Sequence, residues 1–231
     1  MIFSSIEFFV FLGVVLFLLA ATRGEGARRN LLLAASYMFY GWWDWRFCFL
    51  ILFSTVVDYV VGIRLESTRD PRRRRGWLVA SLLVNLGVLG VFKYTGFFLD
   101  SLRPLLVSAG ADVPHLHIVL PVGISFFTVQ TMSYSIDVYR GILPANRNFR
   151  DFALFVSFFP QLVVGPIVRG KEFLPQLDEA HPLRRENLRV GTEIFVRGFV
   201  KKVLFADTLA VYVDPVFADP PRSPRSRAGW R

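Results

Sequence analysis

The chain has 231 residues, enough for one or two globular domains, yet 53% are hydrophobic and only 19% are charged; soluble domains run near about 45–50% apolar and about 25% charged. The net charge of +9 reflects Lys+Arg 27 against Asp+Glu 18. Those basic residues cluster between apolar runs rather than along one amphipathic face, which excludes a nucleic-acid surface and fits the positive-inside pattern of a membrane protein. A single cysteine, Cys48, inside an apolar run, excludes a disulfide framework and a thiolate metal cluster.

Ile2 to Thr22 matches the roughly 20 residues that span a hydrocarbon core. It carries Glu7 and lacks a basic leader, so it reads as a retained helix rather than a cleaved signal peptide. Arg23, Arg28 and Arg29 mark the next connection as cytoplasmic and the N-terminus as outside. The apolar run Leu31 to Trp43 ends in Trp42, Trp43 and Trp45 around Asp44 and Arg46. These aromatics form either an interfacial belt or the lining of a lumen for a sugar chain. Phe47 to Ile63 returns across the membrane with Asp58 embedded in it. An intramembrane acid is costly, so Asp58 is either paired, with Arg64 near enough to help, or functional.

Arg64 to Gly76 is the strongest topological marker. Arg64, Arg69 and Arg72 to Arg75 crowd one stretch that Pro71 is expected to keep out of helix. It is expected at the cytoplasmic face, against anionic lipid headgroups. Trp77 to Phe92 then crosses outward, with Lys93 and Tyr94 at its end, and Phe97 to Leu102 is expected to continue along the surface. His115 and His117 follow in an outside linker; without a third ligand they do not make a metal site, and His181, in a polar loop, is no better placed as a base.

Leu120 to Gly141 and Phe158 to Arg169 are apolar but carry Pro, Gly and polar side chains that no lipid-facing helix would want. On a helix Thr128, Thr131 and Ser135 share one ridge and Gln130, Tyr134 and Asp137 another, which leaves little circumference for lipid. The helix Ile118 to Ile136 is therefore expected to be central. A full crossing by Phe152 to Val168 would put Arg169, Lys171, Arg184, Arg185 and Arg189 outside. Pro160, Gly165 and Pro166 resolve this if the segment turns back within protein. Leu188 to Phe217 reads as a helix whose Arg197 and Lys201 share a face. The fold expected is an all-α integral membrane protein, a multi-pass helical bundle with a re-entrant or broken helix. It occupies residues 1–217, and the Pro- and Arg-rich tail 218–231 is expected to be disordered or aberrant.

The run Leu120-Pro121-Val122-Gly123-Ile124-Ser125-Phe126, then Ser133-Tyr134, Asp137 to Gly141, Gly165 to Arg169 and Arg197 to Lys202 resemble the membrane-bound O-acyltransferases. Among them the likeness is to the bacterial alginate O-acetyltransferase membrane subunits and relatives that acylate other polymers. The resemblance implies transfer of an acetyl group from a cytoplasmic donor, acetyl-coenzyme A or another acyl donor, to hydroxyls of an extracytoplasmic polysaccharide. It also implies residence in the bacterial inner membrane and periplasmic acetyl-transfer proteins as partners. Gln130, Asp137, Arg140, Gln161, Gly165 and Arg169 are candidates for the substrate or donor pathway. Arg169 suits a phosphate or carboxylate, or is a flanking cation. The family's catalytic histidine follows a tryptophan; none of Trp42, Trp43, Trp45, Trp77 and Trp230 is followed by histidine. On that count the chain alone is expected to be inactive and truncated. A non-catalytic scaffold or donor-binding subunit and, with less support, a transporter remain the other readings.

Overall fold

The computed structural model of the chain describes residues 5–108, 119–162, 165–179 and 185–218, and every regular element among them is helical. His115, His117, His181 and residues 219–231 of the tail lie outside the described residues. The chain divides into two compact units, Met1–Ala180 and His181–Arg231.

In the first unit α1 (Ile6–Ala21) starts at Ser5, whose hydroxyl accepts from the Phe8 amide and so satisfies a free donor of the first turn. Helix α2 (Glu25–Asp44) begins inside the charged connection, so Arg28 and Arg29 belong to its first turns rather than to a loop. Helix α3 (Arg46–Ser67) is followed after three residues by α4 (Pro71–Leu89). Here the sequence expectation is corrected. Pro71 does not break a helix but opens one, because the first helical position needs no N–H partner and proline's fixed φ suits it. Asp70 caps that turn by accepting from the Arg72 amide at 3.0 Å. The outward helix is not over at Lys93 and Tyr94 either. A π-helical turn, Gly90–Tyr94, carries it into α5 (Thr95–Ser108).

Two helices are long and apolar enough to cross a membrane, Arg46–Ser67 with 22 residues and Pro71–Arg103 with 33. At 1.5 Å per residue the first is about 33 Å long, against a hydrocarbon core of about 30 Å. The distribution of side chains is inverted relative to a soluble domain. Phe49, Phe53, Val56 and Val60 of α3 face outward, whereas Ser54, Thr55 and Asp58 are buried. That is the arrangement expected of a membrane protein.

Helix α6 (Ile124–Tyr139) sits at the centre, packed on α3, α4, α7 and α9. It starts later than the sequence pattern indicates, because Pro121 and the left-handed Gly123 (φ 76) hold the preceding chain out of the helix. It ends in a Schellman motif: Gly141 (φ 71) donates to the Val138 carbonyl and Ile142 to that of Asp137. Both polar ridges are buried, with Thr128, Gln130, Thr131, Tyr134, Ser135 and Asp137 all inside. Tyr40 Oη donates to the Val122 carbonyl (2.9 Å) and Lys93 Nζ to Ser125 Oγ (3.1 Å), while Arg74 donates to the carbonyls of Leu65 (3.2 Å) and Tyr139 (2.9 Å). Helices α2, α3, α4 and α6 therefore alternate in direction, with most arginines at one end.

Asp58 registers three of these helices. It is fully buried and accepts from Ser81 Oγ and Asn85 Nδ2 (2.8 Å) of α4 and from Ser135 Oγ (2.9 Å) of α6. Asn85 Oδ1 in turn accepts from Thr131 Oγ1 at 3.2 Å. Arg64 is not its partner but lies over the Trp77 ring. Because lipid tails are as apolar as leucine, helices in a bilayer gain little from hydrophobic burial against one another, and such polar contacts with close packing hold them. Close packing is provided at Gly62, where a Cβ would come within 2.9 Å of the Tyr134 ring.

Two stability outcomes follow, both measured as thermal unfolding in detergent. Gly62→Ala is expected to cost about 1–3 kcal/mol by overpacking against Tyr134. Gly87→Ala, where nothing lies within 4 Å of the added carbon, is expected to gain up to about 1 kcal/mol from helix propensity. Asp58→Ala, which strands three donors, should cost about 3 kcal/mol or more, against about 1.5–3 kcal/mol for Ser81→Ala. Equal effects within either pair would contradict the packing described.

Candidate functional site

The segment that follows α6 is a broken helix. Asn148 caps α7 (Phe149–Ser157) by accepting from the Arg150 backbone amide at 3.1 Å through its side-chain oxygen, and its side-chain Nδ2 donates to Asp151 at 2.8 Å. The helix stops at Phe158, and a single turn, α8 (Phe159–Leu162), follows. Pro160 is the cause: it has no N–H for the Val156 carbonyl and its ring would clash with that group. Gly165 then adopts φ 135, open to glycine alone, before α9 (Gly170–Asp178) runs back against α7 and α6.

A break inside an apolar bundle exposes backbone groups that must find partners. The Phe159 amide, which a continuous helix would direct to Phe155, instead donates to Ser36 Oγ of α2 at 3.2 Å. The carbonyl of Phe155 thus freed accepts from Gln130 Nε2 of α6 (2.8 Å) and from Gln161 Nε2 (3.2 Å). Two of the six candidate residues therefore meet at one oxygen.

The two ends of the broken segment also meet. Arg29 of α2 donates to Asp151 at the start of α7 (2.8 Å) and to the Leu177 carbonyl at the end of α9, with Asp178 at 3.7 Å. Residues 149–178 thus leave and return to the same level of the bundle.

Of the other four candidates, Gly165 belongs to the break itself, and none of the four is hydrogen-bonded to the Phe155 carbonyl. Asp137 lies two turns beyond Gln130 on α6, buried, and its Oδ2 has no hydrogen-bond partner. Arg140 is exposed at the end of α6. Gly165 is exposed, and so is Arg169, whose carbonyl accepts from the Glu172 and Phe173 amides to start α9. The serine hydroxyls of α6, which could serve as nucleophiles, are all engaged. Ser125 receives Lys93, Ser133 donates to the Gln130 carbonyl and Ser135 to Asp58. Among the described residues no His, Cys, Asp and Glu side chains cluster as a metal site.

Sequence reasoning overlooked Ser36, Ser81 and Asn85. Ser36 had no signal, since it is one small residue in an apolar run. Ser81 and Asn85 had one: they are i and i+4 polar residues on the face of an apolar helix. In the second unit, α10 (Arg185–Val200), a π-helical segment, Lys201–Ala206, and α11 (Asp207–Ala218) follow one another. Arg197, expected to share a face with Lys201, pairs with Glu193, and Lys202 pairs with Asp207 at 2.8 Å.

The chain is similar to curated proteins over nearly all of its length. It is 46% identical over 224 residues to "Probable alginate O-acetylase AlgI" of Pseudomonas aeruginosa, a match covering 94% of the chain and 42% of that protein. The protein of the same name from Azotobacter vinelandii is 43% identical, with 94% of the chain and 44% of the relative covered. A "Peptidoglycan O-acetyltransferase" of Helicobacter pylori is 35% identical over 209 residues, 79% of the chain and 39% of the relative. The chain thus spans well under half the length of these relatives. No family model and no solved structure matches. Identity at this level across 94% of the chain agrees with the resemblance carried by the sequence blocks, and the chain belongs to the membrane-bound O-acyltransferase family as a relative of the alginate O-acetylases.

Proposed function

We propose that this chain forms part of an O-acetyltransferase that transfers acetyl groups from acetyl-coenzyme A, or another cytoplasmic acyl donor, to an alginate-like extracytoplasmic polysaccharide. The observation that carries this is the 46% identity to an alginate O-acetylase; the broken helix beside α6 gives it a physical form. Irregular backbone at membrane depth is tolerated only where protein or a polar cavity surrounds it, and such breaks are where membrane proteins admit polar substrates.

In this reading α7 to α9 form a re-entrant element in the inner membrane, entering and leaving on the cytoplasmic side where the arginines gather. Gln130 and Gln161 hold the break open in one geometry by sharing the Phe155 carbonyl. Arg169, exposed and without an ion pair among the described residues, is available to a donor phosphate or carboxylate as the thioester approaches. The unpartnered Asp137 Oδ2 offers an acceptor to a donor hydroxyl or amide. The acetyl carbonyl would be attacked by an acceptor hydroxyl that gives its proton to the histidine the family resemblance implies; the carbon–sulfur bond of the thioester then breaks, and coenzyme A leaves as its thiol with that proton. Periplasmic acetyl-transfer proteins would accept the acetyl group and deliver it to the polymer.

The test replaces the matching segment of the Pseudomonas aeruginosa relative with this chain and measures acetyl incorporated into alginate in a strain lacking that relative. Restored acetylation is expected; a chimera that inserts at full yield without acetylating would overturn the assignment. Within the active chimera, Gly165→Leu should lower acetylation about tenfold or more, because a side chain at φ 135 displaces the break and small misplacements are costly to catalysis. Cys48→Ser, at a thiol whose hydrogen bond to the Tyr37 carbonyl is a loose 3.6 Å one, should stay within about twofold.

A further inference from the structure

The arginine run between α3 and α4 does two separate jobs. Arg74 is built into the fold: it donates to the Leu65 and Tyr139 carbonyls and lies 5.4 Å over the Tyr139 ring. Arg72 and Arg75 are exposed and do not line the cleft beside them. Arg64, Arg69 and Arg73 instead line one cleft of about 830 Å³ together with Thr68, Asp70 and Trp77. That volume lies within the range of about 300–1,000 Å³ typical of small-molecule sites.

The cleft's chemistry is that of an anion site. Three arginines line it against one acidic residue, and Asp70 is already committed to the Arg72 amide at 3.0 Å and to Arg73 at 3.7 Å. Arg64 is held over Trp77 at 6.0 Å rather than by an acid. Guanidinium forks match phosphate oxygens in pairs. The position narrows the source of the phosphate. The cleft opens where the two membrane-length helices, Arg46–Ser67 and Pro71–Arg103, meet, which is the headgroup level, and Trp77 is an aromatic of the kind that sits there. Soluble phosphate would share the charge but find no use for the apolar flanks of α3 and α4 below.

We propose that this cleft binds the phosphate of an anionic phospholipid, with Arg64, Arg69 and Arg73 as its ligands and Trp77 as its wall. The proposal rests on the membrane residence of the chain and on no part of the acetyl-transfer assignment.

The experiment titrates phosphatidylglycerol and, separately, phosphatidylcholine into the detergent-purified full chain and counts retained lipid by native mass spectrometry. One tightly held phosphatidylglycerol is expected, and phosphatidylcholine is expected to be lost. R69Q/R73Q changes two exposed side chains and should weaken phosphatidylglycerol about tenfold or more; R72Q/R75Q, which removes the same charge beside the cleft, should change it less than about threefold. Equal losses in the two variants would overturn the cleft in favour of diffuse charge. Equal retention of phosphatidylcholine would overturn the anionic headgroup. Displacement by millimolar inorganic phosphate, itself retained, would assign the site to a soluble phosphate and overturn the lipid. A chain recovered without detergent in the soluble fraction would overturn the membrane placement and the lipid site together.

Discussion

The rest of the structure depends on one constraint: where the helix stops at Phe158 and Pro160, the backbone groups freed inside an apolar bundle must find partners, and the chain returns against the helices it left. Arg29 shows where it turns back to. Its guanidinium meets Asp151 on the way in and the Leu177 carbonyl on the way out, so the length from Phe149 to Asp178 closes on itself. Arg29 and Asp151 are both largely buried, and the desolvation of such a pair offsets much of its attraction. Its contribution is therefore geometric more than energetic. It fixes which ends meet.

Around this closed segment the bundle is organised by satisfied polar groups. Asp58 takes hydrogen bonds from α4 and α6, and the Phe155 carbonyl takes two glutamines. Each solves a problem the apolar surroundings create, since an unpaired polar group there has no water to turn to. The two solutions differ in kind. The Asp58 network is closed and joins continuous helices. The Phe155 carbonyl is free as an acceptor because Pro160 broke the helix, and the glutamines that answer it lie next to the irregular backbone that the break leaves.

Much of this was legible in the sequence. The two polar ridges of α6 were visible in the spacing of Thr128, Thr131 and Ser135 against Gln130, Tyr134 and Asp137, and burial of both follows from α6 being enclosed by α3, α4, α7 and α9. The break at Pro160 was legible because proline's missing donor is a local fact. What failed was local chemistry read without its context. Pro71 breaks a helix only in its interior, and Asp70 before it makes the pair a helix start. The partners of Asp58 were hidden because they sit 23, 27 and 77 residues away, where nearby Arg64 was the only partner sequence distance could offer. Gln130 and Gln161 were chosen separately as polar residues out of place; that they share an acceptor depends on a backbone carbonyl, which no residue type announces. Arg140, Gly165 and Arg169 were chosen alongside them, and the fold leaves these three exposed.

The central claim is that the chain enters and leaves α7 to α9 on one side of the membrane. In a Cys48→Ser background, single cysteines at Arg147, before α7, and at Glu179, after α9, would be challenged in intact cells and in inverted vesicles with a membrane-impermeant maleimide. The account predicts that both react only in inverted vesicles. Labelling of the Glu179 position in intact cells, with the Arg147 position protected, would mean that the segment crosses the membrane and would contradict it.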